Sequence, residues 1–453
     1  MAYDYCTEYF DVVRRRVLGF LIVLIFLFWG YLSKRRVGTW TNPSSIMCYL
    51  WAIVCFSASL HLFNLNDVSF KTWFVILIGV ISFSIGSFVK VTFGKKKRYI
   101  PKRWADRDFF LPANLFWILF IIVALSFAGD LIQSIRLMQE GYRLDVIRQV
   151  TMGAQEIAGY SLKTSTSAIY FKYIRSGFQA ILIAVGIERF FADNRGNIKY
   201  ILAVIFLVAA DAFSNGGRWI IIYASIEFLI CYAILRRKER IIQENLISRK
   251  ARRLIFVIVV SAFLLMEKIT TSRLSGGFVE HFYIYLCGCV PFLDYKLGYL
   301  AESGLFTGVF SSQYGVWSLI MPYLKMLTGN YPLLYSDSLT VISNIQVYEY
   351  ISDHQTYNAF VTSFYTLFAD FRWIGVVIGM LLFGIVCGNL FRKSYEQNGV
   401  DEWNTIVPYL VVSQMIIKSI QTYPLASNTY VVTLIIMFIL FRVQNVKVID
   451  YDY

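Results

Sequence analysis

Apolar residues gather along this chain in long runs separated by short polar joints. Runs approaching the ~20 residues needed to cross about 30 Å of hydrocarbon occupy residues 17–32, 43–63, 72–91, 110–132, 167–191, 200–213, 219–235, 254–266, 374–391, 405–420 and 429–441. They predict eleven transmembrane helices. A further apolar stretch at 357–372 is short and ends in Asp370 and Arg372. It predicts a re-entrant or interfacial piece. The expected fold is an all-α polytopic membrane protein, a single transmembrane domain over 1–453 with about eleven to twelve spans.

Polar joints orient the bundle, because cytoplasmic loops collect Lys and Arg. Lys95-Lys96-Lys97-Arg98 with Lys102, Arg103 and Arg107 marks one inner joint. Arg236-Arg237-Lys238 through Arg252-Arg253 marks another, and the chain after Phe441 also falls inside. The outward joints 64–69 and 421–427 carry no Lys or Arg. Arg14-Arg15-Arg16 conflicts with this scheme, since an odd span count sets it outside, and the orientation of the N-terminal arm stays open. Two outward segments, 133–166 and 268–356, are too long to be connectors and should carry function. In the second, the stretches 282–293 and 305–327 are broken by Gly and Pro. They read as interfacial helices within a long periplasmic loop.

Composition agrees with this pattern. Hydrophobic residues make up 57% and charged residues 16%, against roughly 25% charged in soluble domains. A soluble enzyme, a disordered scaffold and a disulfide-stapled secreted module are excluded. The first apolar run lacks a cleavage-site pattern and reads as a retained anchor. The net charge of +14 resolves into dense inner runs, which are orientation signals, and a sparse outward set. Nucleic acid therefore drops out as a partner. Seven scattered Cys and three His argue against a metal centre, and no cofactor or nucleotide motif is present.

The outward cations are the candidate chemistry. Arg218 closes Ser214-Asn215-Gly216-Gly217-Arg218, a tight turn before a helix start, where backbone N–H groups and a bidentate guanidinium suit phosphate. Its plainer reading is an interfacial Arg paired with Asp211. Arg273 follows the eighth span and reads as an anion ligand or a helix-end anchor. Lys172 and Arg175 share one helical face at the outer end of the fifth span. Their partner is a protein carboxylate or a phosphate. Arg148, with Arg136 and Arg143, fits a basic surface helix. His354 is a candidate base beside the short apolar stretch. Asp370 and Arg372 could form a salt bridge shaping that stretch, and Glu227 is an acid in mid-span.

These features resemble the Wzy family of O-antigen and related repeat-unit polymerases. The layout of spans, the long outward loop of the second half, and Asn42-Pro43 opening the second span all fit. Ser214–Arg218 is similar to the family's small-residue turn closing on Arg. Asn358 to Gly375 is similar to its Asn…Asp-Phe-Gly-x-x-Gly stretch, with Arg372 in place of the first Gly. Arg148…Gly159 matches an Arg-x10-Gly spacing. The resemblance implies a GT-C-like bundle in the bacterial inner membrane with its active site facing the periplasm. It implies metal-independent transfer of a growing glycan from undecaprenyl diphosphate onto a second lipid-linked unit. Donor and acceptor glycolipids, membrane lipids and a chain-length regulator would be the partners. In that reaction Arg218 and Arg273 would stabilise the leaving diphosphate, Lys172, Arg175 and Arg148 would hold diphosphate, and His354 would act as base. Asp211, Asp370 and Arg372 would support them. An O-antigen ligase and a lipid-linked oligosaccharide flippase are the alternatives.

Overall fold

The computed structural model describes residues 2–90, 110–142, 146, 166–192, 198–214, 219–242, 278–358, 360–395 and 406–447. These are overwhelmingly helical. The helices are α1 (Ala2–Val37), α2 (Pro43–Ser59), α3 (Phe70–Phe88), α4 (Ala113–Gln139), α5 (Thr166–Ala192), α6 (Ile198–Ser214) and α7 (Trp219–Ile242). They continue with α8 (Phe278–Cys287), α9 (Cys289–Ser303), α10 (Tyr314–Thr328), α11 (Leu333–Asn344), α12 (Thr362–Tyr395), α13 (Ile406–Ile417) and α14 (Asn428–Lys447). The described sheet is one hairpin, β1 (Glu349–Tyr350) against β2 (Thr356–Tyr357), with Glu349 opposite Tyr357. Among the described residues, five helical segments are long and apolar enough to cross a membrane: Arg16–Val37, Phe70–Phe88, Ala113–Gln139, Trp219–Arg236 and Thr362–Tyr395. The expected span at 254–266 lies outside the described residues.

Several boundaries differ from the hydropathy reading. The first helix starts at Ala2 and runs through Arg14–Arg16, so these cations are part of it. Helix α2 stops at Ser59 because His61, Phe63 and Asn64 take left-handed backbone angles, which a helix cannot propagate. Residues 362–372 of the short stretch and 374–391 belong to one helical element. Helix α12 covers both sides of a break at Phe371 (φ −132°, ψ 31°) and Arg372 (φ 52°, ψ −132°).

Contacts divide the chain into two compact units. The first comprises Met1–Lys96, Val279–Arg392 and Met415–Val431. Small residues let its helices approach closely. A Cβ on Gly384 or Gly388 would strike the carbonyl oxygens of Phe83 and Ser87, and one on Gly86 would strike that of Leu381. This small-xxx-small contact seats α3 against α12, a device typical of apolar helices. Arg392 closes the same contact by donating to the carbonyls of Ser87 (2.8 Å) and Val89 (2.6 Å) at the end of α3. Those groups have no partner inside their own helix.

Helix α9 is part of this core. Cys289, Val290, Phe292, Leu293 and Leu300 are wholly buried. The 282–293 stretch thus divides between α8, where Phe282 is exposed, and α9, which is buried in protein. Helix α10 is closer to the expectation, with Ile320, Tyr323, Met326 and Leu327 exposed. Burial also pushes the Cys287 thiol up to about 12.

The second unit comprises Lys97–Phe278, Lys393–Gln414 and Val432–Tyr453. Its described core is α4, α5, α6 and α7, with Phe116, Phe127, Leu182, Val185, Leu207 and Ile230 buried. Phe116, Trp117 and Tyr200 form an aromatic knot with ring centroids 5.0–5.5 Å apart.

Candidate functional site

The break in α12 is the most unusual backbone in the first unit. Arg372 holds angles that only glycine adopts without strain, at a cost of about 1–3 kcal/mol. Gly375 makes the geometry possible, since any Cβ there would collide with the Leu367 carbonyl. Contacts on both sides of the break hold it. The buried Asp370 carboxylate accepts from Thr307 Oγ1 at 2.6 Å and from the backbone N–H groups of Ser311 (3.0 Å) and Ser312 (2.9 Å). The N–H of Thr307 donates to the Ala369 carbonyl at 3.3 Å. Arg372 Nη2 donates to the Leu305 carbonyl at 2.7 Å. The loop from Leu305 to Ser312 is thereby fastened to the break at both ends. Left-handed turns at Gly304 and Gly308 let it curve back.

The expected Asp370–Arg372 salt bridge is not what forms. With the chain turning between them, Asp370 faces the loop's N–H groups and Arg372 faces a carbonyl. Among the described residues Arg372 has no carboxylate partner. Its Nη1 is buried and has no hydrogen-bond partner. A second cation, Lys71, shares its surroundings. The guanidinium lies 5.6 Å from the centroid of the Phe368 ring and Lys71 Nζ lies 5.0 Å from it. Lys71 is close enough for the charge of Arg372 to act on it. Its hydrogen bond is long, 3.4 Å to the Leu297 carbonyl.

The neighbouring acid is already engaged. Asp294 accepts from Ser69 N (3.1 Å), from Thr72 Oγ1 (2.5 Å) and from Ser69 Oγ, closing the N-terminus of α3. Exposed aromatic and aliphatic side chains surround the cations. Phe74 packs edge-on against Trp373 (5.5 Å) and Phe306 against Phe371 (5.6 Å), while Phe70 and Ile374 are exposed. Arg372 and Lys71, with the charge of Asp294 also acting on Lys71, thus lie together among exposed aromatic side chains.

The other sequence candidates fall elsewhere. His354 is exposed in the turn of the β hairpin. That hairpin is pinned to the 62–66 turn by Asn66 N to the Ile351 carbonyl (2.8 Å) and by Asn64 Nδ2 to Asp353 Oδ2 (3.1 Å). Among the described residues no hydrogen bond or ion pair joins His354 to the break. Arg175 has a protein partner: its Nη1 donates to Asp130 Oδ2 at 2.6 Å and to the Ser126 carbonyl at 3.1 Å, and it lies over the Phe127 ring at 4.2 Å. Lys172 is one turn away on α5, and Asp211 lies near the end of α6. Arg148, Arg218 and Arg273 lie outside the described residues.

Sequence reasoning missed Lys71. A usable signal was present: a lysine beside the joint 64–69, which is expected to face outward, works against the positive-inside rule and needs a reason. Comparison of the chain with family models, with curated proteins and with solved structures finds no match.

Proposed function

We propose that the protein is a membrane glycosyltransferase that polymerises undecaprenyl-diphosphate-linked oligosaccharide repeat units at the outer face of the bacterial inner membrane. The observation that carries this reading is Arg372. It is held in a glycine-only backbone conformation with a buried guanidinium nitrogen unused and Lys71 beside it. Burying cationic nitrogen without a partner is costly, and strain of this kind persists at positions under functional constraint. A lipid diphosphate answers both needs, because its oxygens match the guanidinium fork and its polyprenyl tail matches the aromatic rim. As the glycosidic bond to the diphosphate breaks, negative charge gathers on the leaving oxygen. Cations already in place lower that barrier without reorganising.

In this reading the α3 start and the α12 break lie at the outer surface, in line with the Lys/Arg-free joint 64–69. Arg218 and Arg273 add to the anion site. His354, exposed and on a pinned hairpin, supplies the base for the acceptor hydroxyl. No metal or nucleotide enters the reaction.

The test is an Arg372→Gln variant at matched membrane levels, read by the length distribution of surface glycan. The expected result is collapse of the ladder to single repeats. An unchanged ladder overturns the assignment.

A second reading, a flippase or other transporter for the same glycolipid, is favoured by one observation. Glu227 in mid-α7 is wholly buried with both carboxylate oxygens unpartnered, as expected of an ion-coupling group. Glu227→Gln separates the two. Loss of even single-repeat surface glycan supports transport, and a normal ladder supports polymerisation.

A further inference from the structure

Beside the fastened loop lies a groove of about 420 Å³ lined by Tyr314, Leu339, Thr340, Ile342, Ser343 and Gln346. Its volume is within the range of small-ligand sites. Its lining carries no charge. The two hydroxyls are already oriented: Thr340 Oγ1 donates to the Ser336 carbonyl (3.3 Å) and Ser343 Oγ donates to the Thr340 carbonyl (2.9 Å). In these bonds each hydroxyl donates to its own helix and leaves its lone pairs for a ligand in the groove. A ligand that satisfies them must bring O–H or N–H donors. The Gln346 side chain is exposed and can both give and accept, while its main-chain carbonyl is held by Asn358 Nδ2 at 3.2 Å. Tyr314, Leu339 and Ile342 supply apolar surface, and the Tyr314 ring is braced by stacking on Tyr335 at 6.3 Å and 10°.

Donor-rich, uncharged and partly apolar describes a sugar ring, whose hydroxyls lie at its edge and whose C–H groups lie on its faces. A phosphate or uronate would find no cation here. The groove is also tied to the α12 break, because Tyr314 lies two residues after Ser312, which with Ser311 donates its N–H group to Asp370.

We propose that this groove binds uncharged sugar residues of the glycan. The proposal rests on the reading of the protein as a glycan polymerase and assigns the class of sugar that it accommodates.

The test uses the full chain in lipid nanodiscs and saturation-transfer NMR with glucose, galactose, N-acetylglucosamine and glucuronate as probes. At least one neutral sugar should receive saturation, with glucuronate several-fold weaker. Thr340 and Ser343 are exposed, so the Thr340→Leu/Ser343→Leu double variant keeps the fold, which its thermal midpoint verifies. Losing two acceptors should weaken binding about tenfold. No transfer from any neutral sugar, equal binding of glucuronate, or full binding by the double variant each overturns the groove. The Arg372→Gln ladder result is independent: a glycan ladder that survives it, with sugar binding intact, refutes the diphosphate site and leaves the groove standing.

Discussion

Among the described residues each compact unit has a guanidinium over a phenylalanine ring, Arg175 buried and Arg372 half-buried, and the two are completed differently. Arg175 lies 4.2 Å from the Phe127 centroid and has a carboxylate at 2.6 Å. It sits in the middle of α5. Arg372 lies 5.6 Å from the Phe368 centroid with one carbonyl for a partner and left-handed backbone angles. An intramembrane cation has two reasons to exist, and its counter-ion tells them apart. Where the protein supplies the anion, the pair fastens helices together. Where it supplies none, the proposed function assigns the anion to a ligand. Arg175, expected to meet a protein carboxylate or a phosphate, pairs with Asp130 and so ties α4 to α5.

The largest expected effect tests that tie. Arg175→Leu strands Asp130 beside a buried apolar surface, and removing one member of a buried pair costs about 3–5 kcal/mol. Thermal unfolding in detergent should show the loss, and Asp130→Leu added to it should recover most of the stability. A single variant as stable as the parent would mean that the pair fastens nothing.

Asp370 comes next. Asp370→Ala leaves the Ser311 and Ser312 N–H groups and the Thr307 hydroxyl without their acceptor. Each buried unsatisfied group costs roughly 1–3 kcal/mol, so a loss of about 3 kcal/mol is expected. Proteolysis within 305–312 should rise with it. If cleavage there is unchanged, the loop is held by something other than Asp370.

The helical class and the five long apolar helices were legible because apolar run length reports the capacity to cross hydrocarbon directly. Helix ends were less legible. The stop of α2 depends on three left-handed non-glycine residues, His61, Phe63 and Asn64, and no propensity marks Phe63 for that. The burial of α9 was hidden for another reason: its polar groups find partners far along the chain. Lys296 donates to Glu349 Oε1 at 2.8 Å across 53 residues, and Asp294 is satisfied by Ser69 and Thr72 more than 220 residues away. Read locally, both look like solvated charges. The break in α12 was partly legible, since Arg372 occupies the place of a glycine in the pattern that the stretch resembles. The missing piece was direction. Sequence spacing put Asp370 and Arg372 within salt-bridge reach, but the turn between them sends each to a different partner.

Lys71→Met tests the second cation more gently. Lys71 keeps only a 3.4 Å bond to the Leu297 carbonyl, so the fold should tolerate the change. Losing one of two phosphate ligands should raise the KM for the lipid-linked unit about tenfold, a charged hydrogen bond being worth about 1.5–3 kcal/mol. With kcat largely kept, Lys71 acts in binding. If kcat falls with an unchanged KM, it acts in the transition state instead.

The smallest effect carries the opposite sign. Arg372→Gly removes strain of about 1–3 kcal/mol together with a buried nitrogen that has no partner. It forfeits one hydrogen bond to Leu305 and one contact with Phe368, about 1 kcal/mol each at most. The net should be a gain of about 1 kcal/mol, visible as a raised midpoint in thermal unfolding, while polymer length collapses. Arg175→Gly should lower the midpoint. A stabilised but inactive Arg372→Gly protein would mean that the arginine is kept against the preference of the fold, as a ligand-binding group would be. A destabilised one would make Arg372 a structural tie like Arg175 and erase the contrast between the two sites.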